Sequence, residues 1–121
     1  MKYLCLCYYD PAKLAALAPE QLAEIGPNCK PHDEVLNATG KVVALGSLVS
    51  PEQWRTIRPV NGSPVVSQGP LSDAPQTAGA FFVVDADSID EATAVASKHP
   101  AANYGDHVGM AVEVRECATY D

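Results

Sequence analysis

The order of strand-like and helix-like segments is the feature of this sequence that most restricts its fold. Strand-like segments combine β-branched or aromatic residues with an alternation of apolar and polar positions. Four segments fit this description: Lys2–Tyr9, Lys41–Val49, Gly79–Asp85 and His107–Glu116. The third, GAFFVVD, is the strongest because it joins two aromatic residues to two valines. These segments predict one sheet.

The segment between the first two predicted strands has apolar residues at helical spacing. The segment from Ala12 to Ala38 has this spacing and follows an Asp-Pro pair that is typical of a helix start. Pro19, Pro27 and Pro31 interrupt it, and a proline inside a helix costs about 3 kcal/mol. We therefore expect two or three short helices here rather than one long helix.

A second helical segment and a hairpin complete the order. The helix begins at the acidic segment Asp87–Glu91, because carboxylates favour a helix N-terminus, and it ends before Pro100. The hairpin pairs Trp54–Val60 with Pro64–Val66. Between them, Asn61–Gly62 is a typical two-residue hairpin turn.

The resulting order, β-α-β-hairpin-β-α-β, is the split βαβ arrangement of a ferredoxin-like α+β domain. Two helices then cover one face of an antiparallel sheet. Along Lys2–Tyr9 both alternating sets of side chains are largely apolar, so the second face also needs a cover. A second copy is the simplest cover. We expect a homodimer in which the sheet faces meet, a dimeric α/β barrel.

Size and charge limit the possible functions. With 121 residues, 47% of them hydrophobic, the chain fits one domain over residues 1–121. A net charge of −7 with only eight Lys and Arg argues against nucleic acid and anionic membrane surfaces as partners. No apolar run approaches the roughly 20 residues of a membrane-spanning helix. A small molecule or another protein remains as the expected partner.

The first residues, MKYLCLCYYDP, do not match a signal peptide, because an aspartate and a proline stand where a small-residue cleavage site would be. We therefore expect a cytoplasmic protein whose four cysteines are free thiols. Cys5 and Cys7 share a strand face, but neighbours at i and i+2 seldom reach disulfide geometry. Packing in the core is the expected role for both.

Two histidines, a cysteine and an aspartate carry the candidate catalytic chemistry. Cys29 and His32, at i and i+3, share one face of the first helical region, and Asp33 follows directly. If His99, at the end of the second helix, approaches them, one cleft holds groups that suit general acid–base catalysis. The alternative is that both histidines are surface or capping residues and that Cys29 is a small buried apolar residue.

Two further site assignments are weaker. Cys29, His32 and His99 resemble a zinc-binding set, but a C-x-x-H pattern without a second half is usually coincidental, so no metal site is predicted. Arg58 could bind a substrate carboxylate through its forked guanidinium, or it could pair with one of the many acidic residues. The candidate chemistry needs no organic cofactor, and none is expected.

Four stretches of the chain match a known family in their order and spacing. They are MKYLCLCYYDPAKLAAL, DEVLNATGKVVALGSL, TIRPVNGSPVVSQGP and GAFFVVDADSIDEATAVASKHPAA. Together they resemble the YCII-related proteins, in the branch called the DGPF domain, over nearly the whole chain. The resemblance implies a ferredoxin-like dimer, usually of unassigned activity. It also implies a possible link to sigma-factor regulation, since the genes of some members accompany sigma factors.

Two positions differ from the family pattern. The loop that reads Asp-Gly-Pro-Phe in the family is Gln68–Leu71 here, and Cys29 stands where members often carry a histidine. The leading hypothesis is a small-molecule enzyme with a pocket between helices and sheet, lined by His32, His99 and Cys29, that performs proton transfer or elimination. The competing hypothesis is a non-catalytic dimeric module for ligand binding or regulation.

Overall fold

Six strands and three α-helices make up the molecule, and the computed structural model describes residues 1–121. The strands are β1 (Lys2–Tyr9), β2 (Val42–Ser47), β3 (Arg55–Val60), β4 (Ser63–Gln68), β5 (Thr77–Asp85) and β6 (Ala111–Glu116). The helices are α1 (Pro11–Ala15), α2 (Pro19–Ala38) and α3 (Ile89–Ala96). None of the helices combines the length and the apolarity needed to cross a bilayer.

A four-stranded sheet with the order β2-β5-β1-β6 forms the centre, and β3 and β4 form a separate two-stranded sheet. Every neighbouring pair in both sheets is antiparallel. The predicted α+β class and antiparallel sheet are thus confirmed, and the order of elements fits a ferredoxin-like fold.

The alternation along the central strands divides their side chains between two faces of the sheet. The inner face carries the core, which includes Tyr3, Cys5, Cys7, Phe82 and Val84. Ala92, Val95 and Ala96 of α3 belong to the same cluster, so α3 covers this inner face. The opposite face, called here the outer face, carries Leu4, Leu6, Phe81 and Val83. As the sequence predicted, both faces of β1 are largely apolar.

Helix α2 runs without a break through two prolines. The helical region is divided once, between Ala15 and Pro19, so two helices form, but α2 has 20 residues and is not short, contrary to expectation. The expectation that Pro27 and Pro31 would also interrupt it is wrong, because both lie inside α2. Gly26 has no Cβ to clash with the ring of Pro27. The helix is exposed there, so water can hydrogen-bond to the carbonyls that lose an N–H partner.

Packing of α2 on the rest of the molecule is confined to one end. Leu36, near its C-terminus, is its only buried residue. The helix meets the short 3₁₀ turn Pro100–Ala102 that follows α3. Its N-terminal half therefore stands away from the sheet, and this separation produces the cavity described below.

The hairpin of β3 and β4 projects from the body of the molecule. Asn61 and Gly62 form its turn with φ of 52° and 80°, the positive values that a type I′ turn requires. Of its twelve strand residues only Thr56 is buried. The hairpin thus contributes little to the core.

Strand β6 starts later than the alternation suggested. The expected strand began at His107, but Asp106–Val108 forms a 3₁₀ turn and the strand begins at Ala111. Gly109 ends this turn with φ of 72°, a value that a residue with a side chain rarely adopts. Val112 and Val114 pack against the core from the shorter strand.

Candidate active site

A cavity of about 540 Å³ lies between α2 and the inner face of the sheet. Eleven of its 17 lining residues are hydrophobic. Its thiols, carboxylate and imidazole come from Cys7, Cys29, Asp33 and His99. Asp33 is the one charged side chain among the lining residues, and no Lys or Arg lines the cavity. The sequence predicted three of these four residues as site residues.

One stripe of α2 forms the roof of the cavity. Leu22, Ile25, Cys29 and Asp33 recur at intervals of three or four residues and therefore lie on the same side of the helix. Because no residue in the N-terminal half of α2 is buried, these side chains line open space instead of a packed core. Leu22 remains 51% exposed in consequence.

His99 is held in place by the turn that it caps. It precedes Pro100–Ala102, and its Nδ1 accepts a hydrogen bond of 2.9 Å from the backbone N–H of Ala101. Its ring also stacks on Phe82, with ring centroids 4.9 Å apart and planes 2° from parallel. Burial lowers the pKa of His99, and the negative charge of Asp33 acts in the opposite direction.

Cys7 is the site residue that sequence reasoning missed. Its Sγ lies 3.5 Å from Nε2 of His99 and lines the cavity, although the residue is also buried, as predicted. Burial, with smaller contributions from Cys5 and Asp33, raises the pKa of the Cys7 thiol to about 12. One feature of the sequence could have indicated that a cavity lies beside Cys7. Its partner in β5 is Ala80, within the run of small residues 78–80.

Cys29 is a neutral thiol as well. Burial raises its pKa, and the negative charge of Asp33 adds to this effect. A cysteine attacks as a thiolate, and neither Cys7 nor Cys29 is in an environment that favours that form. The imidazole of His99 and the carboxylate of Asp33 are therefore the groups of this cavity that can exchange a proton or a hydrogen bond with a ligand.

Two predicted site residues lie outside the cavity. His32 is half-buried on α2 but does not line the cavity that His99 lines. Arg58 lies in β3, and its Nη2 is 3.4 Å from the carbonyl oxygen of Leu71. No three histidine, cysteine or carboxylate side chains come together as a group that could hold a metal ion.

The fold is similar to that of a solved enzyme, 5-chloro-2-hydroxyhydroquinone dehydrochlorinase from Burkholderia phenoliruptrix AC1100 in complex with 2,5-dihydroxybenzoquinone. The TM-score is 0.50 and the sequence identity 18%, over 97% of this chain and 93% of that chain. At this identity the similarity describes the fold alone. No curated protein matches the chain. The family model of the YCII-related domain matches residues 1–117, and the chain therefore belongs to the YCII-related family.

Proposed function

We propose that the protein is a small-molecule enzyme that transfers protons on a compound bound in the cavity under α2, or eliminates a leaving group from it. The observation that carries this proposal is the convergence of His99, Asp33 and Cys7 on one apolar cavity. An imidazole and a carboxylate can both exchange a proton or a hydrogen bond with a ligand, and apolar walls strengthen the electrostatic effect of the half-buried His99. The volume of about 540 Å³ suits a small ring compound.

The substrate of the dehydrochlorinase with a similar fold supplies a test compound. Under anaerobic conditions, 5-chloro-2-hydroxyhydroquinone can lose HCl, and the released chloride can be measured directly. We expect the protein to accelerate this release. Asp33→Asn should reduce the rate about 100-fold or more, the typical effect of losing a proton-transferring group. His99→Ala should reduce it to a similar degree, since losing one hydrogen-bond donor to a developing oxyanion also costs about 100-fold or more.

Glu34→Gln is the matched control for the aspartate. Glu34 is the next carboxylate of α2 and does not line the cavity, so its replacement should leave chloride release unchanged. Mapping by ¹⁵N NMR should place the compound against Cys29 and Ala101. Binding there without turnover would favour the competing hypothesis of a ligand-binding module, and a lack of both binding and turnover would contradict the proposal.

We also propose that the outer face of the sheet pairs with a second copy of the chain. Its centre is apolar, with Leu4, Leu6, Phe81 and Val83 on the two central strands. A polar group flanks this centre: Tyr8 of β1 donates a hydrogen bond of 3.1 Å to Glu113 of β6, which also pairs with Arg115. An apolar centre with a polar rim is the usual composition of an interface between subunits.

Within the family, we propose the DGPF branch, on the order of the matching segments and on Gly69–Pro70 in the loop after β4. The surroundings of this pair support a structural role for it. The N–H of Gly69 donates to the carbonyl of Trp54 at 2.8 Å, and its carbonyl accepts a hydrogen bond of 2.8 Å from the hydroxyl of Thr56. The pair therefore closes the base of the hairpin, and it does not line the cavity.

A further inference from the structure

Sγ of Cys7 lies near both ring nitrogens of His99, 3.8 Å from Nδ1 and 3.5 Å from Nε2, but only Nδ1 accepts a backbone hydrogen bond. Nδ1 accepts the hydrogen bond from the backbone N–H of Ala101 at 2.9 Å. A nitrogen that accepts a hydrogen bond carries no proton, and a neutral imidazole carries one proton in all. In the neutral side chain this proton is therefore on Nε2.

Nε2–H has only a weak partner within the protein. Sγ of Cys7 lies 3.5 Å from Nε2, and a thiol sulfur is a weak acceptor. The N–H group thus remains able to donate a strong hydrogen bond to a ligand in the cavity. The stacked ring of Phe82 and the bond from Ala101 keep the imidazole from rotating away.

The charged form of His99 is disfavoured by the same contacts. A proton on Nδ1 would point at the N–H of Ala101, so two donors would face each other and the hydrogen bond would be lost. Two titratable groups face the ring: Cys7 from β1, which is a neutral thiol, and Asp33 from α2, whose charge opposes the loss of the proton. A base at this position would need an unprotonated Nε2, and the bond from Ala101 excludes that tautomer.

The charge of the residues that line the cavity restricts the charge of the ligand. Asp33 is its one charged lining residue, and no Lys or Arg is present to neutralise an anion. A carboxylate or phosphate in the cavity would therefore be repelled by Asp33 and would find no cationic partner. An uncharged compound with one or two oxygen acceptors has no such cost.

We propose that His99 acts as an uncharged hydrogen-bond donor through Nε2 and that the cavity takes uncharged ring compounds with a carbonyl or phenolic oxygen, in preference to carboxylates and phosphates. This inference deepens the proposed function and rests on it. In the proton-transfer step a C–H bond beside a carbonyl of the ligand, or the O–H bond of a phenolic group, breaks, and the proton passes to the carboxylate of Asp33. The electron pair moves to the ligand oxygen, whose negative charge Nε2–H stabilises while keeping its own proton. In an elimination the electron pair then returns to the carbon skeleton to form a double bond, and the leaving group departs with the electrons of its own bond to carbon.

The tautomer can be tested without any ligand. In protein labelled with ¹⁵N-histidine, two-bond correlation spectra at pH 7.5 distinguish the two neutral tautomers and the imidazolium, and His99→Gln identifies the signals among the three histidines. We expect the Nε2–H tautomer for His99. The Nδ1–H tautomer or an imidazolium would overturn the inference.

The ligand class can be tested with a matched pair of probes, resorcinol and 3-hydroxybenzoate, which differ in one hydroxyl replaced by a carboxylate. We expect resorcinol to bind at least tenfold more tightly. Glutamine keeps an uncharged N–H donor without a titratable group, so His99→Gln should stay within about threefold of the unchanged protein, while His99→Ala should lose about tenfold or more, the effect of one missing hydrogen bond.

Equal binding of the carboxylate, or equal losses in His99→Gln and His99→Ala, would overturn the proposed roles. If neither probe binds while the Nε2–H tautomer is present, the ligand half of the inference fails together with the proposed function. If chloride is released and the tautomer is Nδ1–H, the proposed function stands and the donor role of His99 fails.

Discussion

His99 is the residue at which structure and acid–base behaviour are most closely linked. Because its pKa is lowered in the folded protein, the unfolded chain binds more protons between that pKa and about 6.5. The free energy of unfolding should therefore fall as the pH drops through 6.5, and the loss should be complete below the folded pKa. His99→Gln should remove this part of the pH dependence.

Urea unfolding at pH 7.5 and pH 5.0 measures the effect. The unchanged protein should lose more stability between these two values than the glutamine variant does. Parallel losses in the two proteins would show that His99 does not have a lowered pKa.

The four cysteines should differ in their reaction with iodoacetamide at pH 8, since alkylation requires the thiolate. The pKa of Cys5 is raised to about 11 and that of Cys7 to about 12, whereas Cys117 lies half-buried near the C-terminus. We expect Cys7 to react about tenfold more slowly than Cys5, because each unit of pKa lowers the thiolate fraction about tenfold. Mass spectrometry of digested protein gives the rates, and in concentrated urea the four rates should become similar.

Sequence reasoning identified part of the candidate site for a clear physical reason. The spacing of Cys29 and Asp33 on one helix and the position of His99 at the end of another are properties of local structure. The contact of Cys7 with His99 is a property of tertiary structure instead, because it depends on how the turn after α3 packs against β1. For the same reason no local pattern could distinguish His99, which lines the cavity, from His32, which does not.

Among the elements, α2 carries the clearest energetic conflict, since two prolines lie inside it. Pro27→Ala restores a backbone donor and removes a clash, while it also frees the unfolded chain slightly. We expect the free energy of unfolding to rise by about 1–2 kcal/mol. Urea unfolding followed by circular dichroism measures this change.

Pro19→Ala is the matched control for this substitution. Pro19 is the first residue of α2, where the backbone N–H has no helical partner in any case. Its replacement should change stability little. Equal gains at positions 19 and 27 would mean that the interior proline does not strain the helix.

Alternation predicted the strands better than proline content predicted the helices. β1 and β5 follow their predicted segments closely, because burial on both faces imposes a strict pattern. The continuity of α2 could not be predicted, since the cost of an interior proline depends on solvent access to the carbonyls one turn earlier. The late start of β6 has a similar cause, because the turn at Asp106–Val108 keeps Val108 buried without a strand.

At the scale of the whole molecule, the proposed dimer gives a direct prediction. Leu6 lies near the centre of the outer face, so Leu6→Lys would place a charge in the interface. We expect the unchanged protein to sediment at twice 12.8 kDa and the variant to sediment as a single chain. Analytical ultracentrifugation distinguishes the two masses.

Leu45→Lys provides the control, because Leu45 is 63% exposed on the edge strand β2 and its side chain is on the inner face. This variant should keep the mass of the dimer. A single-chain mass for the unchanged protein would contradict the proposed pairing of sheet faces.

The separation of α2 from the sheet also affects how long the protein survives. A compound that fills the gap binds the folded chain alone and adds about 2.7 kcal/mol to its stability at a hundred times the dissociation constant. Proteases act mainly on opened chains, so filled molecules would outlast empty ones. The abundance of the protein in a cell would then follow the supply of its ligand, without any change in the rate of synthesis.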